Sequence, residues 1–436
     1  MVKKLRAVRP HILISHVYSS GNNGDAALLA VEIAELRRVF DQPVLQVATV
    51  DPVPPGTEFR GVPVEPSLMF LALNTARLRP VKLLYSAWVI VITVVATVVW
   101  RLTGRLPLPS RLGRATRAIL DADLMAPVGG GYLRGRRGIA SSTELVLLLH
   151  PIVLAKLAGV PVMHYSQSVG PFGNAAQRWL VGCVLRRLDL LLVREDVTVD
   201  VVQPMRLSPG TVVRAVDGGF LFAGDREPVI TDVVDLRPAR PVVGVTVRQW
   251  LAGPAQARYE QAVAELCEHV IDTGAEVVFV PQVTAVHHGD DDRIPSRRVA
   301  SLIRREQCVH VITGSYDCDQ IKALYGSLDL TVGTRFHSVI FSLTALVPAL
   351  AIEYEHKTGG IMKDLGLSEW VCDISEVTGP QLVELYDQLV LSADDYRAHL
   401  LRVLPGYVER AHHAADEIER RYRALAVARR PPDLTR

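Results

Sequence analysis

Charged side chains that could hold an anion follow three apolar runs in the second half of the sequence. They are Arg248 after PVVGVTV, Arg335 and His337 after DLTVGT, and Lys357 after PALAIEYEH. Because the carboxyl ends of parallel strands meet at one edge of a sheet, these groups should lie close together. Arginine and lysine there predict a pocket for a small, multiply charged anion. The alternative is a set of surface salt bridges to Glu353 and Glu355.

Glycine-bearing turns follow the apolar runs of the first half. In GNNGD, residues 21–25, Asn22, Asn23 and Asp25 present groups that bind hydroxyls, and the Lys and Ser/Thr of a phosphate-binding loop are missing. Asp25 suits a sugar hydroxyl as acceptor or base, or it only caps the following helix. The turns VGGGY, with Gly130, and SQSVGP, with Gln167, either line the same cleft or are ordinary turns.

Metal and disulfide chemistry are not predicted. The run HHGDDD, residues 287–292, resembles a site for a hard cation, but adjacent carboxylates on a loop are usually solvated. The five cysteines are scattered, with no CxxC pair, as in a reduced cytosolic protein. We therefore expect no metal and no bound cofactor.

Composition and pattern predict an α/β protein of two domains. The 436 residues carry 48 basic and 46 acidic side chains, so no global field favours nucleic acid. Apolar runs alternate with helical patterns twice, which predicts two Rossmann-like domains with mostly parallel sheets. We expect them at 1–225 and 226–436, joined by the polar segment 226–240. A charged helical pattern over 393–427 should pack back across the junction.

One apolar insertion, at about 67–117, interrupts the first domain. Residues 83–100 carry no charge, and arginines flank them on both sides. A single membrane crossing would put strands of one sheet on opposite faces of a bilayer, which excludes a spanning helix. The segment therefore either lies in the membrane interface or is a helix buried against protein.

Together these motifs resemble the polysaccharide pyruvyl transferase family over most of the chain. The resemblance rests on G-N-x-G-D at 21–25, GGG at 129–131, Q-S-x-G-P at 167–171, R-E-D at 194–196, the strand ending in Arg248, R-x-H at 335–337 and P-x-L-A-I-x-Y-x-x-K at 348–357. It differs where VDGGF, residues 216–220, replaces a frequent Asp-Pro. The apolar insertion is also not a general feature of the family.

The resemblance implies a glycosyltransferase-B-like fold and transfer of the enolpyruvyl unit of phosphoenolpyruvate onto two sugar hydroxyls as a cyclic ketal. Arg248, Arg335 and Lys357 would bind this co-substrate, and His337 would act as general acid and base with Asp25. Asn22, Asn23, Gly130 and Gln167 would contact a cell-envelope saccharide or glycolipid acceptor. We expect the protein in the cytoplasm, peripherally bound to the inner face of the membrane.

Two other functions fit the same sequence. A glycosyltransferase using a nucleotide sugar would need an acidic residue in the second domain, and Glu353 or Glu355 could serve. A membrane-docked sugar-binding protein could retain the fold without catalysis. Four charged or titratable groups at neighbouring strand ends favour the enzyme, because a scaffold has no use for them.

Overall fold

The computed structural model describes residues 9–74, 79–224 and 240–428 and divides the chain into two compact units. Within these residues, the first unit comprises 9–19, Leu28–Gly218 and 410–428, and the second comprises Ser20–Ala27 and Gly219–Glu409, each without the gaps named above. Three described segments, 20–27, 219–224 and 410–428, therefore lie in a different unit from the one that the predicted ranges 1–225 and 226–436 assign them. The predicted linker 226–240 lies, except for Arg240, outside the described residues.

The first unit is built on parallel strands with helices between them. Its strands are β1 (His11–Val17), β2 (Val44–Thr49), β3 (Glu58–Phe59), β4 (Val62–Pro66), β5 (Leu124–Pro127), β6 (Gly130–Leu133), β7 (Met163–Val169), β8 (Leu190–Val193) and β9 (Val212–Arg214). Its helices are α1 (Asn23–Val39, which begins in the second unit), α2 (Leu68–Asn74), α3 (Arg79–Thr103), α4 (Ser110–Asp121), α5 (Ile139–Ala158), α6 (Ala175–Leu185) and α7 (Asp196–Val202).

Strand order in the first unit reverses between β1 and β5, which are neighbours in the sheet. The hydrogen-bonded orders are β3-β4-β2-β1-β5 and β6-β7-β8-β9. The pair Met125 and Val162 joins the two sheets in parallel, so β5 and β6 act as one strand interrupted at residues 128 and 129. Ligands of such sheets bind where the order reverses, at the carboxyl ends of the strands. In this unit that point lies between β1 and β5.

The second unit has one parallel sheet of six strands. Its strands are β10 (Val242–Thr246), β11 (Glu276–Phe279), β14 (Val309–Val311), β15 (Leu330–Gly333), β16 (Ala349–Glu353) and β17 (Val371–Asp373), with a small hairpin of β12 (Thr284–Ala285) and β13 (Asp290–Asp291). Its helices are α8 (Pro254–Asp272), α9 (Arg293–Ala300), α10 (Cys318–Gly326), α11 (Phe336–Thr344), α12 (Lys357–Asp364), α13 (Gly379–Leu391) and the start of α14 (Ala393–Ala428). The order β14-β11-β10-β15-β16-β17 reverses between β10 and β15.

The predicted α/β class with two parallel sheets is confirmed, and so is the C-terminal helix that packs back. The second part of α14 places Ala414, Ile418 and Tyr422 in the core of the first unit. The Tyr422 ring meets the Phe40 ring edge-on at 5.4 Å between centroids. This helix therefore contributes apolar surface to a core built mainly from residues of the first half.

The apolar insertion forms helices α2 to α4, and α3 is exposed along one side. Its inner face packs on protein through polar contacts: the Ser86 hydroxyl donates to the Ala72 carbonyl at 3.2 Å, and Thr93 Oγ1 lies 2.9 Å from His150 Nε2. Large apolar side chains on the other face are exposed: Val81, Leu83, Leu84, Trp88, Val91, Val95, Val98 and Leu102. The expectation of a fully buried helix therefore does not describe α3.

Candidate active site

The predicted cations of the second half lie at the carboxyl ends of three adjacent strands. Arg248 follows β10, Arg335 follows β15, and Lys357 opens α12 after β16. Strand β15 pairs in parallel with both β10 and β16. These residues therefore lie at the reversal of strand order, the position where α/β sheets bind their ligands.

Arg335 is buried in an ion-pair network. Its Nε atom donates to both carboxylate oxygens of Asp292 at 3.0 Å, and its Nη1 atom donates to Asp290 Oδ2 at 3.3 Å. Burial alone would lower the pKa of Arg335, but Asp292 and Asp290 outweigh it and raise the value. Burial raises the pKa of Asp292, and the arginine offsets part of that effect. Two carboxylates thus fix the guanidinium in place.

The expectation that the HHGDDD carboxylates are solvated is therefore wrong. Asp292 is 1% exposed, and its Oδ2 atom also accepts the Val283 amide at 2.9 Å. The third carboxylate, Asp291, pairs with Arg293 at 2.7 Å. Among the described residues, no group of three or more His, Cys, Asp or Glu side chains is placed to hold a metal ion.

Arg248 lies between two aromatic rings. Its Cζ atom is 4.2 Å from the centroid of Tyr354 and 4.7 Å from that of Trp250. Its Nη2 atom lies 4.0 Å from Asp290 Oδ2, and its buried Nε donates no hydrogen bond to any described residue. Burial lowers the pKa of Arg248. Its position on two ring faces holds the guanidinium flat while leaving donor capacity for a ligand.

Tyr354 and Lys357 complete this group. Lys357 Nζ is 3.0 Å from the Glu355 carboxylate and 5.7 Å from the Tyr354 ring centroid. Burial favours the neutral phenol, but the charges of Lys357 and Arg248 outweigh that effect and lower the pKa of Tyr354. The Glu355 salt bridge weighed from the sequence is therefore present, and it is largely buried. Glu353 instead accepts the Gly359 amide at 2.8 Å.

His337 lies in the first turn of α11, packed against the backbone of Gly24. A Cβ atom placed on Gly24 would come within 2.1 Å of His337 Nδ1. On its other side the imidazole meets the Phe336 ring edge-on, at 5.0 Å between centroids. The last residue of β10, Thr246, accepts the amides of Thr334 and Arg335 at 2.8 and 3.2 Å, which occupies donors at the start of this helix.

The GNNGD loop joins the same unit. The Asn23 amide donates to the Gln282 carbonyl at 3.0 Å, and the Thr284 amide donates to the Gly21 carbonyl at 2.7 Å. The Asp292 carboxylate accepts the amide of Val283, which lies between Gln282 and Thr284, and it also pairs with Arg335. The GNNGD loop, the β12–β13 hairpin and Arg335 are therefore linked by one chain of hydrogen bonds. Motifs more than 250 positions apart in the sequence thus meet beside His337.

Helix α1 is capped by Asn22 rather than by Asp25. Asn22 Oδ1 accepts the amides of Gly24 at 3.1 Å and Asp25 at 3.4 Å, and its Nδ2 donates to the Asp25 carboxylate at 2.8 Å. The remaining predicted contacts, Gly130 and Gln167, are paired in register on β6 and β7 of the first unit. The predicted site residues therefore fall in both units.

Comparison with known proteins identifies a family. The sequence model of the polysaccharide pyruvyl transferases matches residues 22–356. The amylovoran biosynthesis protein AmsJ of Erwinia amylovora is 26% identical over 295 residues, which is 64% of this chain and 68% of that protein.

Solved structures share the fold at low sequence identity. A putative UDP-N-acetylglucosamine 2-epimerase from Listeria monocytogenes has a TM-score of 0.59 at 11% identity, covering 98% of this chain and 99% of its own. Anabaena Alr3699/HepE in complex with UDP-glucose has a TM-score of 0.56 at 13% identity, covering 96% and 100%. Epimerases and glycosyltransferases of the glycosyltransferase-B-like class thus have the same fold.

Proposed function

Because the chain belongs to the polysaccharide pyruvyl transferase family, we propose that it transfers the enolpyruvyl unit of phosphoenolpyruvate onto two hydroxyls of a cell-envelope saccharide, forming a cyclic ketal. Family membership supports a transferase that pyruvylates a polysaccharide. The observation that supports the phosphoenolpyruvate donor is the cation group at the ends of β10, β15 and β16, with His337 in the turn that follows β15. No separate cofactor is needed, since the donor carries its own leaving group.

The donor contacts differ in strength from those expected from the sequence. Asp290 and Asp292 already pair with the Arg335 guanidinium, so they largely neutralise the positive charge that Arg335 would present to a ligand. Arg248 is less closely paired and keeps its Nε available. In our proposal Arg248 and Lys357 therefore bind the phosphate and carboxylate of the donor, while Arg335 sets the geometry of the strand end.

His337 moves the protons of the reaction. The imidazolium gives its proton to the methylene carbon of the donor, and the carbon that bears the phosphate becomes electrophilic. A saccharide hydroxyl attacks that carbon and returns a proton to the neutral imidazole. The C–O bond to phosphate then breaks, and a second hydroxyl attacks the same carbon and gives its proton to the departing phosphate, which closes the ketal. An arginine cannot perform this role, because its guanidinium does not give up a proton in proteins.

Thermal shift and product analysis test the donor. Phosphoenolpyruvate should raise the melting temperature of wild type and of His337→Gln, while Arg248→Ala should lose most of that rise. His337→Gln should lose on the order of 10²-fold or more in the rate of ketal formation, measured by mass spectrometry. His356→Gln, a matched control at the start of α12, should remain within a few-fold of wild type. A shift with UDP-glucose but not with phosphoenolpyruvate would instead favour the glycosyltransferase.

The exposed face of α3 supports a peripheral membrane contact at the inner face of the cell membrane. Both α3 and α5 are long and apolar enough to cross a bilayer by length and composition alone. Exposed apolar residues recur along α3 at spacings of three and four, for example Leu84, Trp88, Val91 and Val95. Exposed arginines follow on α3, the next loop and α4: Arg101, Arg105, Arg111, Arg114 and Arg117. Apolar surface beside cations matches an anionic bilayer, where a glycolipid acceptor would also be located.

Vesicle flotation tests this contact. The full chain should float with vesicles of phosphatidylglycerol and phosphatidylcholine, and more weakly with phosphatidylcholine alone. Val91→Glu should reduce flotation on both, since it places a charge in the apolar stripe, whereas Arg114→Glu should reduce only the difference between them. Wild type that stays unbound to the anionic vesicles would contradict the membrane proposal and leave the donor chemistry untouched.

A further inference from the structure

The reversal of strand order in the first unit carries two residues with unusual backbone angles. His16, near the end of β1, has φ of 63°, and Ser166, in β7, has φ of 30°. Each lies where strand register shifts, between Ile14 and Val17 and between His164 and Gln167. Positive φ at residues other than glycine costs of order 1–3 kcal/mol and is concentrated at functional sites. At both positions the irregular backbone changes the direction of the side chains, and these side chains point towards the same region.

Those side chains form a cluster of aromatic and imidazole rings. His16 stacks on Tyr132 with centroids 5.1 Å apart and an interplanar angle of 12°, and His164 lies 6.2 Å from His16. The Tyr132 hydroxyl is 3.5 Å from His164 Nδ1. Burial lowers the pKa of His16 to about 4 and lowers that of His164 well below its usual value. Both imidazoles are therefore neutral at neutral pH.

Glu32, on α1, lies close enough to this cluster to affect its tyrosines. It is fully buried, and burial raises its pKa well above the usual range, with the Gly129 amide offsetting only part of the shift. Its charge contributes to the raised pKa values of Tyr132 and Tyr165. Burial thus favours the protonated carboxyl, which can donate one hydrogen bond as well as accept others.

Several buried polar atoms around this point lack a hydrogen-bond partner among the described residues. They are His164 Nε2, Gln167 Oε1 and the Tyr165 hydroxyl. Buried polar groups are normally paired, and each unpaired one costs about 1–3 kcal/mol. Gln167 Oε1 can only accept a hydrogen bond, whereas His164 Nε2 and the Tyr165 hydroxyl can donate or accept one, so a ligand with hydroxyl groups, which also do both, would satisfy them. None of the cluster side chains is a cation at neutral pH, which disfavours an anion.

We propose that Glu32, Tyr132, His164 and Gln167 bind the hydroxyls of an uncharged saccharide ring in the first unit, with the His16 ring, whose two nitrogens contact Ser15 Oγ and the Leu148 carbonyl, packing beside it. Hydroxyl groups donate to the carboxyl, imidazole and amide acceptors, and the partly exposed rings of His16 and Tyr132 form the accessible edge. As the binding site of the acceptor, this subsite rests on the proposed pyruvyl transfer. The sequence-based expectation placed acceptor contacts at Asn22, Asn23, Gly130 and Gln167, and of these the proposed subsite includes only Gln167.

Saturation-transfer NMR on the full chain tests the subsite with four probes: the methyl glycosides of glucose, galactose, mannose and N-acetylglucosamine. At least one should receive saturation from wild type. His16→Asn should weaken its binding about tenfold or more, and Asn tolerates positive φ, so the backbone is retained. Glu32→Gln should weaken binding similarly. If Glu32→Gln unfolds at a much lower temperature than wild type, Tyr132→Ala is tested in its place, because Tyr132 is partly exposed. Arg248→Ala is the control and should bind the glycoside normally.

The outcomes separate this subsite from the proposed reaction. Absence of saturation transfer to all four glycosides, or equal transfer in wild type and the cluster variants, overturns the subsite and assigns the unpaired atoms to internal water. Phosphoenolpyruvate stabilisation is measured in parallel on the same samples. If it is absent while the glycoside still binds, the donor proposal fails and the saccharide site stands.

Discussion

Gly24→Ala should inactivate the protein by displacing His337. In most helices alanine in place of glycine stabilises by about 0.5–1 kcal/mol, and no positive φ at Gly24 requires glycine. Here, however, the new Cβ atom would lie 2.1 Å from Nδ1, 2.5 Å from Cγ and 2.9 Å from Cβ of His337. The clash reaches the base of the side chain, so rotating the ring alone cannot relieve it.

The required displacement sets the expected loss. Ordinary contact begins at 3.4 Å, so the nearest atom must retreat by 3.4 − 2.1, or about 1.3 Å. A misplacement of about 1 Å at a reacting group can cost on the order of 10²-fold in rate. We therefore expect Gly24→Ala to lose about 10²-fold in ketal formation, with phosphoenolpyruvate binding nearly unchanged.

A double-mutant cycle shows whether the effect acts through His337. Gly24→Ala is introduced into wild type and into His337→Ala, and initial rates of phosphate release and ketal formation are measured for all four proteins. In the His337→Ala background the glycine substitution should cost only a few-fold, since most of the clashing side chain is gone. The reasoning is refuted if Gly24→Ala turns over within a few-fold of wild type, or if it costs the same in both backgrounds.

Three further perturbations follow from buried charges. Asp292→Asn keeps the Val283 contact but removes a charge from the buried Arg335 pair, so chemical denaturation should show a loss of about 3 kcal/mol; an unchanged midpoint would contradict that pairing. Tyr354→Phe should abolish the lowest-pH tyrosinate transition in an ultraviolet titration, because surrounding cations lower the pKa of Tyr354 while burial raises those of Tyr132, Tyr165 and several others. The same transition persisting in Tyr354→Phe would assign it elsewhere. Burial lowers the pKa of Lys322 to about 7, so the unfolded chain binds more protons above that pH and the free energy of unfolding should rise between pH 7 and about pH 9. Lys322→Met should lose that rise in urea unfolding curves, and an identical slope in both proteins would exclude Lys322 as its source.

Features that depend on local pattern could be predicted from the sequence. The apolar runs before Arg248 and Arg335 are strands because they are short, β-branched and followed by helical periodicity, and parallel pairing then places both arginines at one edge. Helix α3 follows from an uncharged run, 83–100, that is too long for a strand, although the helix itself extends further, over Arg79–Thr103. In each case the information lies within about 25 neighbouring residues.

Features that depend on contacts between residues distant in the sequence could not be predicted from it. The run HHGDDD looks like a solvated loop because its partner, Arg335, lies more than 40 positions later. GNNGD follows the first strand of the first sheet, yet the backbone bonds of Asn23 and Gly21 tie it to the β12–β13 region. The cluster around Glu32 was missed because isolated apolar-flanked His and Glu residues carry no spacing signal. The packing of α1 on the sheet, together with the irregular backbone at His16 and Ser166, brings them together.

The division of α14 between the two units has a consequence for biosynthesis. The core of the first unit includes Ala414, Ile418 and Tyr422, which the ribosome adds only after the whole of Gly219–Glu409. At ordinary elongation rates of about 5–20 residues per second, roughly 10–40 s pass between Gly218 and that segment. During this interval the strands of the first unit expose the apolar face that α14 later covers. We therefore expect the nascent chain to bind chaperones during translation. A stop codon before Arg410 would remove a piece of the first unit's core, although strands β1 to β9 had all been made.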